Sequence, residues 1–514
     1  MLKNKPIVIF RLCSQIMIIQ RPYPKLIYPL LFAILSVFQL QAQEHKLNQW
    51  VTQDQPLSQL SAGQPAVFEP TSRGRQLPIV IDERQAFQTI DGFGFALTGG
   101  SAQLIHQMVP DKRSKLLHEL FSAEDGIAIS AIRLSIGASD LNSFVYTYND
   151  LNGGQADPNL LNFSLGHDYE HVIPVLKEIL AINPKIQIMA SPWTAPVWMK
   201  VGQQFQGGSL RTDCYPVYAR YLLRYVQEME KNGIPIHMIT VQNEPLNSRN
   251  TPSMPFSVVQ MRNFLGDHLL PVFNKWKPDT KIILFDHNCD RPDYPLTLLN
   301  DPAIGPYVDG SGFHHYGGDI GTMSLVHQAR PDKNIYFTEQ MVIQSNQSKM
   351  SNLAYQTERL VIGTMRNWSR NMILWNLAAD PNNDPHTDNG GCAICQGALT
   401  IDGDQVSRNV AYYVVAHVSK FVPPGSVRIF SNGPYDKGVD ITTDEENADI
   451  KRVTTVQNSG VLPNVAFLTP QKEIVLIVAN SSFYDREVKI QYKGKFCMIK
   501  LAAGAVGTYC WKSE

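Results

Sequence analysis

The sequence predicts an α/β chain in which a (β/α)8 barrel carries an appended antiparallel β-sandwich, and three observations predict it. Between about Gln88 and Ala411, eight short apolar runs alternate with helix-like stretches of Leu, Lys, Glu and Arg. Strands buried on both faces and joined by helices form parallel sheets, and eight of them close into a barrel. Beyond about Ser419 the runs become short and alternating, punctuated by Gly, Asn and Pro, as in an antiparallel sandwich. Finally, 514 residues with 44% apolar content suffice for two domains, one larger than average. An open doubly wound sheet is the competing architecture, but it calls for a G-x-G-x-x-G turn after an early strand, and "DGFGFALTGG" lacks that spacing. No internal repeat is present, which removes solenoids and propellers.

The elements follow in chain order. Lys3, Lys5, Arg11, Arg21 and Lys25 precede the run "LIYPLLFAILSVFQLQAQ", whose apolar part is short for a membrane span and suits the core of an export signal. Residues 1–42 therefore read as a signal peptide with Ala42 before the cut, Met17 being an alternative start. Pro29 and the polar "QLQAQ" argue against an uncleaved membrane anchor. Residues 45–85, including "PAVFEP" and "LPIVID", are strand-like without a helix, and are expected to pair with the C-terminal sheet. The barrel is assigned to 86–412, on the runs "TIDGFGFAL", "IAISAIRLSIGASD", "KIQIMASPW", "MITVQNEP", "KIILFDHN", "GSGFHHY", "NIYFTEQ" and "MILWNLAAD". The sandwich is assigned to 413–514.

Forty-five Lys plus Arg against 46 Asp plus Glu leave a net charge of -1, which points away from nucleic acid and toward a neutral ligand. An aromatic content of 10%, with several rings beside Pro and Gly, suits stacking on sugar faces. Six cysteines follow the expected cut. Cys392 and Cys395 in "CAIC" admit three readings: a disulfide, free thiols, or half a zinc site whose second pair of ligands does not stand out. Cys497 and Cys510 lie on consecutive apparent strands and are expected to face each other across a hairpin.

The chemistry gathers at strand ends. Catalytic groups of such barrels sit at the C-terminal ends of strands. Here the second strand ends in Asp140, the third in Trp193, the fourth in Asn243 and Glu244, the sixth in His314, His315 and Tyr316, the seventh in Glu339, and the eighth in Trp375 and Asn376. Glu244 and Glu339 are about three βα units apart, which sets them facing each other across the mouth. Two such carboxylates can cleave a glycosidic bond, one protonating the leaving oxygen while the other attacks the anomeric carbon. Glu244, as the acid, is expected to have a raised pKa owing to ionised Glu339 nearby. Asn243 suits the sugar 2-hydroxyl, and Trp193, braced by two prolines, suits an exposed platform for a sugar face. Arg133 reads as a buried partner of a site carboxylate. His314 is either a strand-end histidine satisfied by its neighbours or a group orienting the nucleophile.

The stretches "QTIDGFGFALTGGSA", "RLSIGASDLNSFVYTYND", "ASPWTAPVWMK", "TVQNEP", "FHHYGG", "YFTEQ" and "ILWNLAADPNNDP" resemble, in order, the motifs of glycoside hydrolase family 30. This is a family of retaining glycosidases that includes glucosylceramidases and microbial β-1,6-glucanases. The resemblance implies a barrel fused to a sandwich, Glu244 as acid/base, Glu339 as nucleophile, and no metal or organic cofactor. It also implies Asp140, Trp193, Asn243, Tyr316 and Trp375 as glycone-binding residues. The chain departs from the family pattern at Phe95, where Gly is common, at Gly99, where Asp is usual, and at His315, where glucosylceramidases have Trp. "NGGCAICQGALTI" looks like the β-1,6-glucanase branch, so β-1,6-glucan is the expected substrate, with a glucosylceramidase-like β-glucosidase as the alternative. A non-catalytic sugar receptor is disfavoured because both carboxylates are present.

Overall fold

A computed structural model describes residues 46–54, 57–344, 352–433 and 460–513, and the backbone of 440–443 and 450–453. The expected signal peptide lies outside the described residues.

All eight apolar runs form strands: Gly92–Ala96, Ala131–Ile136, Gln187–Pro192, Met238–Thr240, Lys281–Cys289, Gly310–Gly318, Asn334–Glu339 and Ser369–Asn376. They are called here the first to eighth barrel strands. Each pairs in parallel with its sequence neighbours, and the eighth pairs with the first, Met372 opposite Phe93, which closes the ring. Most of their residues are buried because the inner face fills the barrel and the outer face meets helices. Met189, Met238, Ile283 and Tyr336 pack together beneath the mouth. Among the outer helices, Tyr215–Lys231 buries Tyr218, Tyr221, Leu222, Tyr225 and Met229, a stripe at helical spacing. The helix beginning at Val258 is started by a reciprocal cap between Ser257 and Gln260.

The remaining large sheet takes strands from both ends of the chain. Lys46–Thr52 runs antiparallel to Val506–Lys512, with Asn48 opposite Cys510. Ile79–Thr89 lies between Val427–Ser431 and Arg486–Tyr492. Both faces of its central strands are covered, which explains the continuous apolar run "EIVLIVA". Ile474, Leu476 and Val478 point into the sandwich core, whereas Val475, Ile477 and Ala479 join the cluster formed with the barrel, as the two-residue period of a strand requires.

This two-sided burial corrects the expected Cys497–Cys510 hairpin. The strand Lys495–Leu501 pairs with Arg486–Tyr492, while Val506–Lys512 pairs with Lys46–Thr52 and Glu473–Ala479. Cys497 faces the sandwich core and Cys510 the barrel side, and both thiols are free and buried. Cys392 and Cys395 form a disulfide. Among the described residues, no helix is long and apolar enough to cross a membrane.

Candidate active site

The C-terminal ends of seven barrel strands open into one cavity of about 680 Å3, and Asp140, Trp193, Asn243, Glu244, Tyr316, Glu339 and Trp375 all line it. Local backbone geometry aims the groups. Asn243 N–H donates to the Pro192 carbonyl at 2.8 Å, and Glu244 N–H to the Asp286 carbonyl at 3.0 Å. The fourth strand is thus tied to both neighbours where it ends. Glu244 takes a φ of 45° there, a left-handed conformation uncommon for a side-chain-bearing residue and found where a functional group must be presented. Phe285 and Asp286 are left-handed as well, at φ 73° and 56°, and the register with the sixth strand shifts beside them.

Arg133, rising from the second strand, is fully buried and organises the floor. Its Nη1 donates to Glu339 Oε2 at 2.7 Å, its Nη2 to Asn243 Oδ1 at 2.7 Å and to Asp286 Oδ2 at 2.8 Å, and its Nε to Ser191 Oγ at 3.1 Å. A guanidinium suits this role because its planar set of donors can serve several acceptors at once. The rings of Trp193 and Trp375 stack at 5.4 Å, and the guanidinium carbon lies 4.8 Å from the Trp193 centroid. Trp193 is only 2% exposed. The expected exposed platform is therefore a buried pair of rings forming one wall of the cavity, because the cation beneath and the neighbouring ring cover it.

Glu339 accepts a second hydrogen bond from Tyr316 Oη at 3.0 Å. His314 is fully buried between three carboxylates, with Nδ1 3.1 Å from Glu244 Oε1 and Nε2 3.0 Å from Asp286 Oδ1. It lies 3.8 Å from Glu339 Oε1, so its direct hydrogen bond goes to Glu244 rather than to Glu339. One oxygen each of Glu244 and Glu339, with a His314 ring nitrogen, lie within 4.8 Å of one another. That spacing could hold a cation, but Arg133 and His314 already supply the counter-charge these carboxylates need.

The electrostatics invert one expectation. Burial raises the Glu244 carboxyl, but the hydrogen bond and charge of His314, together with His287 and Asn247, outweigh it and bring Glu244 down to about 2. The rise falls on Glu339 instead, through burial, opposed by His314 and Arg133 and assisted by Glu244 and Asp286. His314 loses by burial but gains more from Glu339, Asp286 and Glu244, and is pushed up to about 9. Asp286 stays ionised: Arg133 and His314 overcome its burial. The sequence pattern had no means of showing a cationic imidazole against Glu244. Asp140 is pushed up to about 8 by burial and then by Glu339 and Glu244, and its buried Oδ1 has no protein partner.

Asp286 is the main residue that the sequence reading missed. "KIILFDHN" ends in polar residues like the other strands, so the same signal was available. Leu246 to Asn250, Met341 and Gly390 also line the cavity, but they lie on loops where no periodicity marks them. Phe95, Gly99 and His315 do not line it. At Gly99 a Cβ would fall 1.9 Å from Asn142 Nδ2, so the asparagine fills the space of the absent side chain. His315 is half-buried with its inaccessible Nδ1 unpartnered and held down to about 4, chiefly by desolvation.

Residues 90–422 match the glycosyl hydrolase family 30 TIM-barrel domain, and 450–509 match the family 30 beta sandwich domain. The chain is 30% identical over 425 residues to an endo-1,6-beta-D-glucanase of Aspergillus fumigatus, covering 79% of this chain and 81% of that one. It is 30% identical over 410 residues to an endo-1,6-beta-D-glucanase of Trichoderma harzianum, covering 77% and 78%. Among solved structures, an endo-beta1,6-glucanase superposes with a TM-score of 0.79 at 30% identity, covering 91% of this chain and 100% of that one.

Proposed function

The chain belongs to glycosyl hydrolase family 30, and from that premise we propose that it is an exported, retaining endo-β-1,6-glucanase with Glu339 as nucleophile and Glu244 as general acid and base. The observation that carries the mechanism is the pair of carboxylate oxygens within 4.8 Å on the fourth and seventh strands. Retaining glycosidases hold their carboxyls about 5–5.5 Å apart, whereas inverting ones leave room for a water at about 6.5–9.5 Å.

Glu339 attacks the anomeric carbon while the glycosidic oxygen takes a proton from Glu244 and departs, leaving a glucosyl ester on Glu339. Water then attacks the same carbon, gives its proton to Glu244, and releases the sugar with its configuration retained. Arg133 and Tyr316 hold Glu339 in line. The acid proton belongs to the His314–Glu244 pair as a unit, since the two share a 3.1 Å hydrogen bond. Asp140, Asn243, Trp193 and Trp375 bind the glucosyl unit, the neutral Asp140 carboxyl serving a sugar hydroxyl. The β-1,6 linkage is supported by the names of relatives aligned over most of their length.

Linkage-defined β-glucans are the test of substrate, with β-1,6-glucan expected to be cleaved and intact β-1,6-glucan pointing to another linkage. Glu339→Gln should remove activity on every substrate while the melting temperature holds. Glu244→Ala should cost about 10²–10⁴-fold on substrates with poor leaving groups, and azide should restore an activated aryl glucoside as the β-glycosyl azide. An α-azide would indicate inversion. Export predicts that N-terminal sequencing of the mature protein begins at Gln43.

A further inference from the structure

The connection after the eighth barrel strand crosses the mouth as a strap, Thr387 to Gln396, tied down at both ends. Beyond the second strand, Thr387 N–H donates to the Asp140 carbonyl at 2.9 Å. Beyond the fourth, Thr387 Oγ1 donates to the Thr251 carbonyl and Thr251 Oγ1 to the Asn389 carbonyl. At the other end, Gln344 N–H, past the seventh strand, donates to Gln396 Oε1 at 3.0 Å, and Asn376 Nδ2 donates to the Cys395 carbonyl at 3.0 Å. The strap therefore links the loops that follow the two carboxylate-bearing strands.

Close backbone approach makes its first half glycine. A Cβ on Gly391 would lie 2.3 Å from the Thr387 carbonyl oxygen, and Gly390 has a φ of 122°, a conformation that side-chain-bearing residues rarely adopt. Two adjacent glycines leave the chain free to wander, and the Cys392–Cys395 disulfide lies between them and the far anchor. So small a ring adds little loop-closure entropy to global stability and acts by stiffening the local backbone. Both cysteines line the catalytic cavity, and Cys395 packs in one cluster with Trp375 and Trp193.

An aryl glucoside fills the inner sugar subsite and puts only a single flat ring beyond the scissile oxygen. A glucan also places a sugar beyond the scissile oxygen, beside Glu244, and there the cavity wall is made by Leu246 to Asn250 and by the strap anchored to Thr251. We propose that the disulfide-locked strap is the specificity-determining wall for the leaving-group part of a glucan chain, an assignment that rests on the glucanase reading above. The strap's height, set by the disulfide and by the Thr251 anchor, decides whether a polymer is accepted.

Two variants test this separately: the double substitution Cys392→Ser with Cys395→Ser, and Thr251→Ala, which loosens the anchor at the Thr387 end and leaves the disulfide intact. The readout is the ratio of kcat/KM on β-1,6-glucan to kcat/KM on an aryl β-glucoside. That ratio is expected to fall by about tenfold or more in both variants. A ratio unchanged in both, whether because neither substrate is affected or because both lose equally, overturns the proposal. Should the cysteine variant fold poorly, the Thr251→Ala ratio decides alone. If the wild-type enzyme leaves β-1,6-glucan intact, the linkage reading fails instead, and the same ratio is taken with the glucan it does cleave.

Discussion

His314 sets the charge balance of the site. It lies between Asp286, Glu244 and Glu339 and near the rings of His287 and Tyr316. The proposed mechanism requires an ionised Glu339 and one proton on the His314–Glu244 pair. The pair keeps its proton up to the pKa of His314, about 9, so the alkaline limb of kcat/KM should fall there. His314→Gln removes the cation that holds Glu244 down, and burial, which raises Glu244, is then opposed far less. The acid proton would then be lost at the pKa of Glu244 itself, so the alkaline limb moves to lower pH. The same change removes a cation that lowers Glu339, so the acid limb moves to higher pH. A pH profile of the variant that narrows from both sides is the expected result; an unshifted profile would show that His314 does not control these protons.

Loops fix the cavity walls at the scale of elements, and the third and fourth are joined by a buried lysine. Lys200 is 1% exposed. Its Nζ donates to Thr194 Oγ1 at 2.7 Å, to the Ser253 carbonyl at 2.9 Å and to the Phe205 carbonyl at 3.2 Å. Burial alone brings its pKa down to about 7, yet three acceptors match the three donors of an ammonium. Lys200→Met would keep the bulk and leave those acceptors without their donor, at a cost of about 1–3 kcal/mol. Urea unfolding should record that loss, and limited proteolysis should show faster cutting between 201 and 209. Equal stability and equal cutting would mean that the backbone bonds between these loops suffice. This clasp was not visible in the sequence, because loop pairing depends on which strand ends become neighbours, and no periodicity encodes that.

The two ends of the chain meet in one sheet at the scale of the whole molecule. Lys46–Thr52 pairs with Val506–Lys512 over five residue pairs. Leu47 is fully buried in the sandwich core, and Trp50 meets Phe421 at 4.7 Å. A chain beginning at Gln43 should fold normally. One beginning at Gln53 would bare the edge of Val506–Lys512 and remove a buried leucine, whose loss alone typically costs about 2–5 kcal/mol. Its thermal unfolding should come well below that of the longer chain, and identical midpoints would refute the stapling role of the strand.

The sequence alone determined the eight barrel strands, the sandwich and the carboxylate pair, because burial on both faces writes a continuous apolar run and strand ends carry polar residues in full view. Asp286 was legible by the same rule, at the end of "KIILFDHN". Tertiary structure alone decided what those groups do to one another. That Glu244 is held low depends on an imidazole brought from the sixth strand, and Glu339 stays high by burial although that imidazole and a guanidinium from the second strand pull it down, and such distances have no trace in residue order. For the same reason Cys497 and Cys510 came to face different cores: which strands pair follows their arrangement in space, not their succession along the chain.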